Sequence, residues 1–131
     1  MEAAVVVLID TDVLVDYLRD YLPAVRFIEA ITDAIGVSVI TLAELYVGAA
    51  HHEEEHAIEM LVGACTVFDV DGKIARRAGV LRGKYLGSHS VELPDALIAA
   101  TSELRGARLA TLKRKHYPML ADVLVPYRKN R

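Results

Sequence analysis

Val5-Val6-Val7-Leu8-Ile9-Asp10-Thr11-Asp12 is the stretch that decides the fold. Its first five residues are apolar and mostly β-branched, with no polar alternation. Both faces of such an extended segment must be buried, as in a strand of a parallel sheet. The run ends at a carboxylate, and the spacing then becomes helical over 13–18. It is also far shorter than the roughly 20 apolar residues a membrane span requires.

Strands and helices alternate outward from this point. Pro23 opens a second helix with Val25, Ile28, Ile31 and Ala34 on one face and Gly36 as its stop. A short strand over 37–40 runs into a helix beginning at Thr41, and a polar helix follows from about 51 to 61. A third strand covers 66–70, Asp71-Gly72 makes a turn or cap, and a helix with a basic outer face covers 74–86 before a loop over 87–90. Pro94 sits in the first turn of an apolar helix over 95–104 that Gly106 terminates. Residues 109–112 and 123–125 are two further strand candidates. The alternation predicts an α/β fold, a three-layer α/β/α sandwich with a mostly parallel central sheet, as a single domain over 1–131 with no repeat or linker.

The composition agrees with one buried core. The 131 residues are 53% hydrophobic and 25% charged, with 8 Gly and 4 Pro, which excludes a disordered tail. No basic segment with a small-residue cleavage site precedes the apolar run, so the expectation is a cytoplasmic protein with no membrane association. The lone Cys65 can form no internal disulfide and reads as core filling. The net charge of -3 is uninformative, but its distribution is not. From Arg105 onward stand Arg105, Arg108, Lys113, Arg114, Lys115, Arg128, Lys129 and Arg131 against Asp122 alone, while the remainder is strongly acidic. Carboxylates that hold cations beside a basic edge that attracts a polyanion would produce this pattern, and so would a merely solvated basic terminus.

In parallel sheets, ligands bind beyond the carboxyl ends of the strands. Asp10 lies at the end of the first strand, Glu44 shortly after the second, and Asp95 in the first turn of the helix from Pro94. Three converging carboxylates repel one another unless a hard divalent cation such as Mg²⁺ neutralises them. Each also has a local explanation. Asp10 fits a helix cap, Thr41 with Glu44 fits a capping box, and Asp95 complements a helix dipole.

Two other motifs compete. Leu8-Ile9-Asp10-Thr11-Asp12 resembles the first motif of haloacid-dehalogenase-type phosphatases, in which the leading aspartate is the nucleophile, but nothing else in the chain matches them. His52-Glu53-Glu54-Glu55-His56 has the zinc-binding His-Glu-x-x-His spacing, without an obvious third ligand and in a polar segment that reads as a solvated helix. His51 and His89 read as surface residues.

Read in order, residues 8–16, Ile40-Thr41-Leu42-Ala43-Glu44-Leu45, Leu93-Pro94-Asp95-Ala96-Leu97-Ile98-Ala99-Ala100-Thr101 and Leu109-Ala110-Thr111 resemble the PIN-domain family, most closely its VapC-type toxin ribonucleases. The resemblance spans nearly the whole chain, and 95–101 is its most specific element. It implies that Asp10, Glu44 and Asp95 bind Mg²⁺ or Mn²⁺ and carry catalysis, with Thr11, Asp12 and Thr111 behind them. One position departs from the family. The Asp or Asn expected two residues after Thr111 is Lys113. A charged lysine cannot ligate Mg²⁺. The site then keeps one tight metal, or Asp12 or another carboxylate compensates, or Lys113 contacts the scissile phosphate.

The expected function is a metal-dependent endoribonuclease, the toxin of a VapBC-type toxin-antitoxin pair, with a cognate antitoxin protein and a homodimeric state implied by the same resemblance. Lys113, Arg114 and Lys115 would bind the RNA substrate, while Tyr117 is either a stacking ring beside them or a core residue. The alternatives are a phosphatase using Asp10 and a catalytically weakened PIN domain that only binds RNA or a partner.

Overall fold

The opening run forms strand β1 (Val6–Ile9) of a computed structural model that describes residues 5–88 and 91–129. Successive side chains of β1 point to opposite faces, as the strand period demands. Leu8 enters a core with Ile74, Ala78, Leu81, Ile98 and Leu109, whereas Val7 and Ile9 enter a second core with Val13, Leu14, Ile28, Val37 and Ile58. Two cores on the two faces of one sheet make three layers.

Among the described residues, β2 (Ala34–Ser38), β3 (Thr66–Phe68) and β4 (Ala107–Ala110) join β1 in the order β3-β2-β1-β4, every pair parallel. Helices α1 (Thr11–Leu18), α2 (Leu22–Glu29), α3 (Val39–Val47) and α4 (His52–Gly63) supply one outer layer, and α5 (Gly72–Lys84) and α6 (Leu93–Arg105) the other. The strand order reverses between β1 and β4. At this switch point the carboxyl ends of both strands open a crevice, which is where Asp10 and Thr111 emerge.

Several boundaries differ from the sequence reading. Gly36 does not stop a helix. Helix α2 ends at Glu29, and Gly36 lies inside β2, where an added Cβ would stand 2.6 Å from the Phe68 ring and 2.9 Å from Val6 Cγ1. Val39 and Ile40 belong to α3 rather than to a strand, because the Ser38 hydroxyl accepts the Ile40 N–H at 3.1 Å and starts the helix there. This cap displaces the expected Thr41–Glu44 box, and Thr41 is instead buried. The third strand ends at Phe68, the fourth spans Ala107–Ala110 rather than 109–112, and the segment near 124 contributes only a bridge from Leu124 to Ala110. Pro94 and Gly106 bracket α6 as expected, with Gly106 in the left-handed conformation at φ 64°. His89 and Ser90 of the expected loop, and Arg131 of the basic end, lie outside the described residues.

Candidate active site

Asp10 caps α1 where β1 ends, and it is 1% exposed. One carboxylate oxygen, Oδ1, accepts the Thr11 N–H at 2.8 Å; the other, Oδ2, accepts the Thr111 hydroxyl at 2.7 Å and the Tyr117 hydroxyl at 2.9 Å. Asp95, 7% exposed, comes from the first turn of α6. Its Oδ1 stands 3.3 Å from the Tyr117 hydroxyl and 3.9 Å from the Lys113 ammonium, and its Oδ2 lies 3.0 Å from His116 Nδ1. The phenol has one proton, and the shorter distance assigns it to Asp10. Burial first, then Asp10 and Asp95, push the Tyr117 pKa far above the ordinary tyrosine range, so it remains a donor.

Glu44 projects from α3 at the exposed rim. Its Oε1 accepts the Thr11 hydroxyl at 2.7 Å, and that hydroxyl lies 3.1 Å from the Thr41 hydroxyl. Thr11 therefore joins Glu44 to Asp10, using its side chain for one and its amide for the other. Asp12 is half-buried, accepts the Val13 and Leu112 N–H groups, and has its pKa raised to about 6, first by burial and then by the neighbouring Asp10 charge. Thr111 turns the chain after β4, accepting the Lys113 N–H at 3.0 Å while it donates to Asp10.

Lys113 gives this cluster its character. Burial opposes its charge, yet the fields of Asp10, Asp95, Asp12 and Glu44 together raise its pKa above the ordinary lysine value. The sequence-predicted acids thus share one neighbourhood, with Asp10 and Asp95 against a common phenol and Glu44 reached through Thr11. They do not form a closed cage. Among the described residues no three Asp, Glu, His or Cys side chains group closely enough to hold a metal ion, because hydroxyls and an ammonium stand between the carboxylates.

Tyr117 is 1% exposed, which removes it as a base-stacking ring and makes it a core residue with a polar task. His116 had no signal in the sequence that separates it from the surface histidines. The basic end is also less free than its count implies. Arg105 pairs with Asp71, Arg108 with Asp122 and Lys129 with Asp16, while Arg114 donates to the Val123 carbonyl and Lys115 is exposed. Residues 52–56 are all exposed on α4, in keeping with a solvated segment. Cys65 is half-buried, its thiol donating to the Leu61 carbonyl, and burial raises its pKa.

The PIN domain family model matches residues 7–117. The chain is similar to Ribonuclease VapC10 of Mycobacterium tuberculosis, 35% identical over 124 residues and 92% of each protein. It is likewise 36% identical over 124 residues to Ribonuclease VapC19 of that organism, covering 92% of this chain and 98% of the other. A toxin-antitoxin complex from Klebsiella pneumoniae contains a chain of like structure, with a TM-score of 0.82 at 30% identity over 94% of this chain and 99% of that one. A parallel sheet with carboxylates at its switch point, matched over this much of its length, places the protein plainly: the chain belongs to the PIN domain family, among its VapC-type members.

Proposed function

We propose that the chain is a ribonuclease toxin of a toxin-antitoxin pair that hydrolyses RNA phosphodiester bonds with the help of Mg²⁺ or Mn²⁺ held by Asp10, Glu44 and Asp95. The observation that carries this reading is the placement of Asp10 and Asp95 against one buried phenol at the carboxyl end of the sheet, with Lys113 as their counter-charge. The donor types fit a hard cation, which would have to draw the three carboxylates closer than they now stand. All are carboxylates: Asp10 Oδ2 is filled by the Thr111 and Tyr117 hydroxyls, but Asp10 Oδ1, Glu44 and Asp95 keep lone-pair capacity beyond their internal hydrogen bonds. When bound, such an ion supplies the charge that acidifies water and stabilises the phosphoryl oxygens in the transition state.

The chain's own residues do the positioning. Thr111 and Tyr117 fix one oxygen of Asp10, Thr11 fixes the other and also orients Glu44, and His116 holds Asp95 from the outside. Lys113 lies where the family has Asp or Asn, and its ammonium neutralises part of the carboxylate charge. The site therefore retains charge for one divalent ion rather than two. A phosphatase that uses Asp10 as nucleophile is not favoured, since the PIN domain model matches residues 7–117 and the similarity to Ribonuclease VapC10 covers 92% of the chain.

The partners follow from the same reading. A cavity of about 330 Å³ between α1, α3 and α4, lined by Val15, Leu18, Leu45 and Ile58, extends to Glu44 and offers a place for an antitoxin peptide. Exposed Val80, Leu86, Leu93 and Leu104, on or just beyond α5 and α6, provide apolar surface for a homodimer. No helix among the described residues is long and apolar enough to cross a membrane, and a cytoplasmic site of action fits an RNA substrate.

Purified protein incubated with structured RNA should yield fragments only when Mn²⁺ or Mg²⁺ is present. Asp95→Asn should stay folded and cut at least ~100-fold more slowly, the scale of losing one preorganised electrostatic group. Full activity in that variant would remove Asp95 from the site, and trapping of an aspartyl-phosphate would favour the phosphatase.

A further inference from the structure

A second feature adjoins the carboxylates. The 3₁₀ turn Arg114–His116 and the C-terminal segment 125–129 enclose an open cavity of about 590 Å³. Its lining contains Lys113, Arg114, Lys115, Arg128 and Lys129, together with His116 and Tyr127, and no acidic residue. Lys113 and His116 also contact Asp95, so the cavity continues directly into the candidate active site. Lys115 and Arg128 are exposed, and neither makes an ion pair among the described residues.

The cavity depends on a clasp far from it in sequence. Asp16 of α1 is buried, and its carboxylate accepts the Tyr127 hydroxyl at 2.7 Å and the Lys129 ammonium at 2.6 Å. The Tyr127 ring packs against Tyr21 with centroids 5.7 Å apart, and the Lys129 ammonium lies 5.2 Å from the Tyr21 ring centroid. A buried carboxylate is costly unless paired. Here both partners come from the C-terminal segment, which is thereby fixed alongside the 3₁₀ turn with Arg128 between two of the tethered residues.

We propose that this cavity binds the phosphodiester backbone of single-stranded RNA adjoining the bond to be cut, with Lys115 and Arg128 as its free phosphate contacts and Asp16 as the residue that positions the C-terminal wall. Cations draw in the backbone, and the Tyr127 ring in the wall gives a base an aromatic surface. The change from carboxylates to cations across Lys113 and His116 places one phosphate at the acids and its neighbours among the bases. The inference rests on the ribonuclease reading and extends it.

The test measures binding of a short fluorescein-labelled oligouridine by anisotropy, in EDTA to prevent cleavage, across roughly 50–200 mM salt. Both Lys115 and Arg128 are exposed, so the double variant Lys115→Ala/Arg128→Ala should fold normally. It should bind more weakly, with the slope of log affinity against log salt reduced by ~1.4, or ~0.7 for each phosphate left without its cation. The control, Lys73→Ala/Arg76→Ala on α5, should keep the wild-type slope. An unchanged slope in the cavity variant, or an equal fall in the control, would overturn the proposal. So would a cavity variant that keeps RNA binding but loses affinity for labelled polyglutamate, which would assign the cavity to an acidic protein. Wild-type protein that binds RNA with the expected slope but never cuts it in Mn²⁺ would count against the ribonuclease reading alone.

Discussion

Replacing Lys113 with Asn, a residue the family resemblance allows at that position, should move metal affinity and metal-free stability in opposite directions. The Lys113 ammonium lies 3.9 Å from Asp95 Oδ1. A divalent ion on that oxygen at the ~2.1 Å typical of Mg²⁺ would stand within about 6 Å of the ammonium. At that separation the repulsion is about 1.4 kcal/mol in a water-like dielectric and about 5.5 kcal/mol at an effective constant of 20. The lysine side chain is 40% exposed and can swing toward water, which favours the lower part of that span. An affinity gain of about 1.5–3 kcal/mol corresponds to Mn²⁺ binding roughly 10- to 100-fold tighter in Lys113→Asn. Titration calorimetry, or the electron-spin signal of free Mn²⁺ at fixed ionic strength, reads this directly. In EDTA the same variant should lose about 1 kcal/mol of stability, since the carboxylates lose their tethered counter-charge to a neutral amide. A folded Lys113→Asn protein with Mn²⁺ affinity equal to or below wild type would refute the reasoning.

Three further substitutions probe separate links. Tyr117→Phe deprives buried Asp10 of a donor and should cost about 1.5–3 kcal/mol in EDTA by urea denaturation, with part of the loss recovered in Mn²⁺; a loss below about 0.5 kcal/mol would show the bond to be inconsequential. Asp12 has its pKa raised to about 6 from an ordinary 3.8, so between these values the native state holds a proton the unfolded chain has released. Its contribution is complete below about pH 4, declines as pH rises to about 6 and is constant above. Asp12→Asn should therefore flatten a decline of up to about 3 kcal/mol in metal-free stability over that window, and identical pH slopes in variant and wild type would remove Asp12 as the proton holder. Gly36→Ala forces the Phe68 ring and Val6 aside and should cost about 1–3 kcal/mol in thermal or urea unfolding, whereas a neutral effect would mean that the β2 surroundings yield freely.

The parts of the fold that were legible from sequence are those set by local patterns. An apolar run without alternation predicts a strand buried on both faces, and β1 sends Leu8 to one core and Val7 and Ile9 to the other. Pro94 and Gly106 mark α6 because a fixed φ and a left-handed φ are local requirements. Gly36 was not legible, since glycine both ends helices and permits close packing. The deciding neighbour, Phe68, arrives only when β3 pairs with β2. Ser38 and Thr41 pose the same difficulty on a smaller scale, because both are competent caps and burial of Thr41 beside Thr11 settles the choice.

The site divides in the same way. Positions of Asp10 and Asp95 can be read from strand and helix ends, but the Tyr117 hydroxyl that meets both acids crosses from residue 117 back to residue 10, a tertiary closure with no local signature. That closure also explains why the departure at Lys113 matters. The return of 111–117 over the end of β1 turns Thr111 and Tyr117 toward Asp10, turns Lys113 and His116 toward Asp95, and leaves Lys115 exposed beside Arg128. One short segment thereby sets the charge available to a cation on one side and to a phosphate chain on the other. Because the two effects use different side chains, Lys113→Asn should change metal affinity and Lys115→Ala the salt dependence of RNA binding, each with little effect on the other.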